Sequence, residues 1–196
     1  MNSKKLIIQP LTPARWRALE TLFGSRGACA GCWCMWWRLG ASRFSRGRGS
    51  GNRAALRRVV QKGPPPGVVA LIDGEPAGWC ALAPRESYPR LQKSRVLKPV
   101  DDRPVWSITC FFVARGFRGK GLTVQLLRAA AAYARGRGAG ILEGYPTDTR
   151  GRRSADVWVY TGLLPAFRKA GFREVARRSI GRPIMRRFLR RSRSES

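Results

Sequence analysis

The chain has 196 residues, with 39 lysines and arginines against 11 aspartates and glutamates, and its net charge is +28. This length suits a single α/β domain, and no apolar run approaches the roughly 18 residues that a membrane-spanning helix needs. The sequence contains no histidine, which excludes Ser-His and Cys-His catalytic pairs.

The first 82 residues predict a strand, two helices and a hairpin. Thr12 before Pro13 has the pattern of a helix start, and Asp73-Gly74 between two β-rich runs is typical of a hairpin turn, which Glu75-Pro76 would lengthen. Residues 42–51 are of low complexity and predict a mobile loop. The predicted elements are a strand at 7–11, helices at 14–23 and 53–60, and strands at 68–72 and 77–82.

Residues 105–136 predict a strand, a glycine-rich basic turn and a helix. The run 105–113 is rich in β-branched and aromatic residues, and apolar residues return at helical spacing from Leu122. Gly116, Gly119 and Gly121 let backbone N–H groups approach an anion. The free N–H groups and positive dipole end of the helix N-terminus would then face that anion, so the turn predicts a phosphate-binding site.

The remaining elements are shorter. A strand is predicted at 141–143, a helix at 163–170, and strands around Val175 and Ile184. Residues 190–196 form a basic tail that we expect to be disordered. The odd number of cysteines, five, favours a reducing compartment, and we predict a cytoplasmic protein without membrane contact.

The turn after the central strand fits neither common nucleotide-binding loop. Leu122 stands where a P-loop needs lysine, and Val124 stands where a dinucleotide fingerprint needs its third glycine. The segment 118–123, Arg-Gly-Lys-Gly-Leu-Thr, resembles instead the acetyl-CoA pyrophosphate loop of GNAT-type N-acetyltransferases, except that Thr123 replaces the usual Gly or Ala. An ordinary strand–helix connection is the alternative.

The order of the predicted elements resembles the same family over residues 6–189, which would form one domain. The resemblance implies an α/β fold with a mixed, mostly antiparallel sheet, splayed around an acyl-CoA cleft and flanked by about four helices. It also implies acetyl-CoA as co-substrate and direct transfer of acetyl to a primary amine, on a small molecule or a peptide, by a monomer or homodimer. The residues it assigns to the cofactor are Phe111, Phe112 and Val113 for the pantetheine arm and thioester oxygen, and Arg118, Gly119, Lys120, Gly121, Leu122 and Thr123 for the pyrophosphate.

Candidate catalytic residues follow the strand at 141–143. Glu143 would accept the amine proton, and Tyr145 is a weaker candidate. An ion pair with one of the many arginines is the alternative for Glu143. Many family members have a tyrosine, which protonates the leaving thiolate, where this chain has Phe167, and Tyr160 would replace it only if the last helix began early. Cys110 is predicted to be a small buried residue.

Residues 29–38 combine three cysteines with three tryptophans. Trp33 and Trp37 would lie one helical turn apart with Trp36 beside them, and we predict that these indoles form a wall of the amine-binding pocket. Ordinary core packing is the alternative. The C-x-x-C-x-C spacing of Cys29, Cys32 and Cys34 suits zinc, and without histidine the fourth ligand of a closed site would be Cys80, Cys110 or a carboxylate; we predict no metal.

The charge supports a second class of function. Residues 21–72 contain no aspartate or glutamate but nine lysines and arginines. Such a field attracts polyanions, so a nucleic-acid- or ribosome-binding protein on the same fold is the alternative, with or without acetylation of an RNA- or ribosome-associated amine.

Overall fold

The computed structural model describes residues 5–151 and 160–189. The predicted disordered tail at 190–196 lies outside the described residues. Seven strands and six α-helices are present in the described part, joined in places by short 3-10 turns. The strands are β1 (Leu6–Pro10), β2 (Gly67–Ile72), β3 (Glu75–Pro84), β4 (Trp106–Val113), β5 (Ile141–Gly144), β6 (Arg173–Arg177) and β7 (Pro183–Phe188). The helices are α1 (Trp16–Phe23), α2 (Ala41–Arg46), α3 (Ser50–Lys62), α4 (Pro89–Gln92), α5 (Leu122–Gly136) and α6 (Leu164–Lys169).

The strands form one sheet in the order β1-β2-β3-β4-β5-β7-β6. All neighbouring strands are antiparallel except β4 and β5, which are parallel because the chain crosses over through α5. The mostly antiparallel α/β fold predicted from the sequence is therefore confirmed. The turn between β2 and β3 contains only Asp73 and Gly74, both with positive φ, so Glu75 and Pro76 belong to β3 and do not lengthen the loop.

The two faces of the sheet bury different side chains. Helix α5 packs its leucines and alanines against one face, together with Leu142 of β5. Helices α1 and α3 cover the other face, where tryptophan, phenylalanine and cysteine side chains pack among leucines. Glu143 follows Leu142 in β5, so its side chain points to the opposite face, the one that α1 covers. We call these surfaces the α5 face and the α1 face.

Three segments differ from the sequence predictions. Residues 41–46 form α2 and α3 begins at Ser50, so most of the predicted mobile loop is helical; its buried Phe44 supplies the apolar contact. Residues 24–39, which we call the turn segment, form successive turns without a helix, with positive φ at Trp33 and Cys34. Helix α4 is an addition to the predicted elements. No helix in the described ranges is long and apolar enough to cross a membrane.

Candidate active site

Strands β4 and β5 separate after a short shared stretch. They pair only from Trp106 to Ile108 with 142–144, because β5 ends at Gly144 and Pro146 follows soon after. The rest of β4 pairs with β3 alone, so its other edge has no strand partner in the described part of the chain, and we call the region beside this edge the fork. A fork of this kind supplies strand N–H and C=O groups to an extended ligand.

The backbone of β4 alternates between β3 and the fork. The Ala114 N–H donates to the Ala77 carbonyl across β3, so by alternation Phe112 also turns its N–H towards β3. The Phe111 N–H faces the fork and donates to the Tyr160 carbonyl at 2.6 Å. Of the three strand residues assigned to the pantetheine arm, Phe111 and Val113 therefore present their N–H groups to the fork, and Phe112 does not.

The loop after β4 presents a row of backbone donors. Gly119 and Gly121 have φ of +72° and +78°, and Gly121 is the residue before the first turn of α5. The five N–H groups from Gly119 to Thr123 donate to no acceptor in the described part of the chain. A Cβ added at either glycine would meet no atom within 4 Å, so space for an anion lies open above the loop.

Two cations of this loop hold its backbone in place. Arg118 Nε donates to the Val113 carbonyl at 2.9 Å, and Lys120 Nζ donates to the Gly116 carbonyl at 2.8 Å. Both side chains are exposed, and their positive charge adds to that of the α5 N-terminus. The loop thus fits a pyrophosphate through its N–H groups and its net charge.

Glu143 is fully buried and belongs to an ionic network on the α1 face. Its Oε1 accepts from Arg85 Nη1 at 3.1 Å, and its Oε2 accepts from Arg186 Nε at 2.7 Å. Arg186 continues the network to Asp101 at 2.7 Å. The carboxylate has no exposed surface, so the structure contains the ion pair that was the alternative to a catalytic role. Its predicted function as a base has no open path to an amine here.

Tyr145 belongs to the same network. Its hydroxyl donates to Glu143 Oε1 at 2.6 Å, accepts from Arg85 Nη1 at 2.7 Å and lies 2.8 Å from Ser107 Oγ. Burial raises the pKa of this tyrosine well above its usual value, with Glu143 adding to the effect. A neutral, enclosed phenol of this kind orients its neighbours and is not placed to contact a substrate.

Arg85 is the functional-site residue that sequence reasoning missed. Its side chain is buried, and its Nη2 donates to the Leu91 and Leu97 carbonyls, so it ties the chain between β3 and β4 to Glu143. An arginine after the end of a strand has the pattern of a surface residue in a chain with 39 basic residues. The acid-poor composition was the available signal, because a buried carboxylate requires cationic partners.

The three indoles of the turn segment have different environments. Trp33 is 4% exposed and stacks on Trp16 with ring centroids 6.0 Å apart, so its prediction as a pocket wall is wrong and the core alternative holds. Trp36 is 40% exposed and has the Arg90 guanidinium 3.7 Å from its ring centroid. Trp37 is half-buried and packs on a small apolar cluster that includes Tyr88.

Tyr160 lies beside the fork without being part of α6, which begins at Leu164. Its side chain packs on the aromatic cluster of the α1 face, and burial raises its pKa to about 12. Phe167, which stands at the position of the family's tyrosine, is fully buried against Gly144, where an added Cβ would lie 2.2 Å from its ring. The backbone carbonyl of Tyr160 thus contacts β4 at Phe111, in the half of β4 that does not pair with β5.

The cysteines divide into exposed and buried thiols. Cys29 is exposed, whereas Cys34 and Cys110 are buried with their Sγ atoms 3.1 Å apart. This contact is the first cause that raises the pKa of the Cys34 thiol. Within the described ranges, no group of three or more Cys, Asp or Glu side chains is arranged to hold a metal ion.

Comparison with known proteins indicates one family. A sequence profile described as "Acetyltransferase (GNAT) family" matches residues 35–153. No curated protein matches the sequence.

Solved structures share the whole fold at low sequence identity. A GNAT-family acetyltransferase from Streptococcus agalactiae is 15% identical with a TM-score of 0.54, over 93% of this chain and 95% of that one. A putative acetyltransferase from Salmonella typhimurium, solved with its cofactor acetyl-CoA, is 14% identical with a TM-score of 0.51, over 97% and 98%. An aminoglycoside N-acetyltransferase, AAC(6')-Iy, in complex with CoA is 15% identical with a TM-score of 0.56, over 91% and 95%.

Proposed function

Because the chain belongs to the GNAT acetyltransferase family, whose co-substrate is acetyl-CoA, we propose that it transfers acetyl directly to a primary amine. The observation that carries this proposal is the row of five N–H donors from Gly119 to Thr123 at the N-terminus of α5, next to the open half of β4. The sequence contains no histidine for a Cys-His acyl-enzyme, so direct attack by the amine needs the fewest groups.

We assign the pyrophosphate to the loop and the first turn of α5. The N–H groups of Gly119 and Gly121 donate to phosphate oxygens, and Leu122 and Thr123 add the donors of the helix start. The left-handed conformation of both glycines directs these donors to one side. Val113, whose N–H faces the fork, then holds the arm that carries the thioester.

Tyr160 is our candidate for the residue that protonates the leaving thiolate. Its backbone carbonyl contacts Phe111 in the fork, and its pKa of about 12 keeps the phenol protonated across the neutral range. Proximity and orientation supply most of the acceleration in such a reaction, so the amine proton can leave to water. In this assignment Glu143 and Tyr145 position β5 and the chain after β3, and they do not touch the substrate.

The α1 face contributes the acceptor site. Of the three indoles in the turn segment, Trp36 and Trp37 are accessible to a ligand. The same segment contacts β4, because Cys34 packs against Cys110. The turn segment, α2 and α3 carry cations and no carboxylate. This charge opposes a polycationic acceptor such as an aminoglycoside and favours an amine attached to an anionic carrier.

Isothermal titration with coenzyme A tests the cofactor assignment. We expect Gly121→Glu to abolish binding at millimolar ligand, because its carboxylate repels the pyrophosphate and its Cβ occupies the open space. Gly138→Glu is the matched control: Gly138 also has a positive φ, +83°, and an open surface, but it follows the other end of α5.

Two results would contradict the assignment. One is equal affinity of the wild type and Gly121→Glu for coenzyme A, and the other is an absence of binding by the wild type.

Acetyl transfer is measured as the loss of thioester absorbance when an amine is added to the enzyme and acetyl-CoA. Tyr160→Phe should lower kcat and leave the affinity for coenzyme A unchanged, whereas an unchanged kcat would remove Tyr160 from the proton transfer.

A further inference from the structure

A groove of about 420 Å³ lies between the turn segment and α2 and α3, on the α1 face. Four cationic side chains line it: Arg38, Arg43, Arg58 and Lys62. Three of them, Arg43, Arg58 and Lys62, make no hydrogen bond or ion pair with any residue in the described part of the chain. No carboxylate of residues 5–151 or 160–189 lines the groove, so this part of the chain leaves its positive charge for a ligand to neutralise.

The charge continues beyond the groove along the same helices. Arg46, Arg48 and Arg57 are exposed on α2, on the turn after it and on α3. Glu20, which pairs with Arg53, is the nearest carboxylate in sequence before the acid-free run, and Asp73 is the first after it. A field of this length exceeds what a single small anion neutralises, and it fits a chain of anions.

The floor of the groove is apolar. Met35, Leu39 and Ala55 line it and are at most 9% exposed. An apolar floor under a rim of cations suits a ligand with flat apolar parts and a regularly charged backbone. An acidic peptide offers the charge without the flat rings.

We propose that this groove binds single-stranded nucleic acid, with backbone phosphates on Arg43, Arg58 and Lys62. The groove is distinct from the cofactor loop, because α5 lies on the opposite face of the sheet. It is close to the fork, since Met35 follows Cys34, whose Sγ lies 3.1 Å from Cys110 in β4. The binding goes beyond the proposed transfer and is measured without acetyl-CoA, so each fails or holds independently of the other.

Fluorescence polarisation with a labelled 20-nucleotide single-stranded RNA tests the proposal, at salt concentrations from 50 to 200 mM. The variant combines Arg43→Gln, Arg58→Gln and Lys62→Gln. Because each phosphate contact on a single strand contributes about 0.7 to the slope of log affinity against log salt, loss of three contacts should lower the slope by about 2. The matched control combines Arg128→Gln, Arg135→Gln and Arg137→Gln, which removes equal charge from exposed positions of α5 and of the residue that follows it.

The proposal predicts that the control keeps the wild-type slope and that DNA of the same sequence binds with similar strength. Equal loss in both triple variants would overturn it, because binding would then follow net charge alone. Equal binding of polyglutamate would overturn it in favour of an acidic protein partner, and an absence of RNA binding at 50 mM salt would overturn it altogether. Thermal melting of both variants checks that these exposed substitutions leave the fold intact.

Discussion

The two faces of the sheet are held together by different forces. On the α5 face, leucines and alanines of one regular helix pack against sheet residues such as Leu142, with three phenylalanines in the same cluster. On the α1 face, aromatic rings and thiols pack beneath a segment of turns, and a buried carboxylate is bound by two arginines. The α5 face therefore depends on burial that tolerates exchange of similar residues, whereas the α1 face depends on specific partners.

The proposed roles of the two faces follow the same division. The α5 face offers backbone N–H groups at a helix start, and these donors do not depend on side-chain identity. The α1 face offers side chains: an exposed indole, a phenol beside the fork and a groove lined by four cations. We therefore expect the α5 face to bind a ligand that many sequences of this fold can bind, and the α1 face to bind a ligand that depends on this chain's own side chains.

Removal of the buried carboxylate should have the largest effect. Glu143→Gln leaves the buried Arg85 without its anionic partner and leaves Arg186 paired with Asp101 alone, so the free energy of unfolding should fall by about 3–5 kcal/mol. Urea unfolding measures the change. Glu174→Gln, which breaks the exposed pair with Arg177, is the control and should cost at most about 1 kcal/mol. If Glu143→Gln instead keeps the wild-type stability but lowers kcat, Glu143 acts in catalysis and not only in the ionic network.

The indoles separate packing from exposure within the α1 face. Trp33→Ala should lower the free energy of unfolding by about 3–5 kcal/mol, because the ring is buried between Trp16 and Phe23. Trp36→Ala removes an exposed ring with one cation–π contact, and its cost should stay below about 1 kcal/mol. Equal losses of stability for the two variants in thermal or urea unfolding would contradict the assignment of Trp33 to the core and of Trp36 to the surface.

The sequence predicted the regular elements and failed in the turn segment for a physical reason. Residue spacing identifies strand β4 and helix α5 because a helix and a strand each have a fixed period. The turn segment has positive φ at non-glycine residues, including Trp33, and no period describes such a backbone. Its indoles therefore point in directions that helical spacing does not give, and Trp33 falls in the core.

The candidate site shows the same limit. The glycine-rich loop could be located because left-handed glycines have a local sequence pattern. The partners of Glu143 could not, since Arg85 and Arg186 lie 58 and 43 residues away, and local patterns carry no information about such pairs. The sequence gives Tyr160 a role only as part of the last helix, whereas in the structure its backbone carbonyl contacts Phe111 in the fork.

The smallest predicted effect is on the loss of stability at low pH, to which Asp101 contributes. Hydrogen bonds from Arg186 and Arg103 lower the pKa of Asp101 in the folded protein, whereas an unfolded aspartate has a pKa of about 3.9. The stabilisation from this carboxylate is therefore present above about pH 4 and is lost as the pH falls towards the folded pKa. Asp101→Asn should flatten the dependence of unfolding free energy on pH between about 4 and 2. An unchanged acid slope in chemical unfolding would contradict the role of this pair.

The hydrogen bond from the Phe111 N–H to the Tyr160 carbonyl has a consequence for ligand affinity. A ligand that needs the Phe111 N–H must first displace the Tyr160 carbonyl, so this carbonyl competes with the ligand for the donor. A net backbone hydrogen bond contributes about 0.5–1.5 kcal/mol, which corresponds to a roughly two- to tenfold weaker apparent affinity than a fork without this bond would have. The same bond keeps the strand edge from pairing with another chain while the fork is empty of ligand.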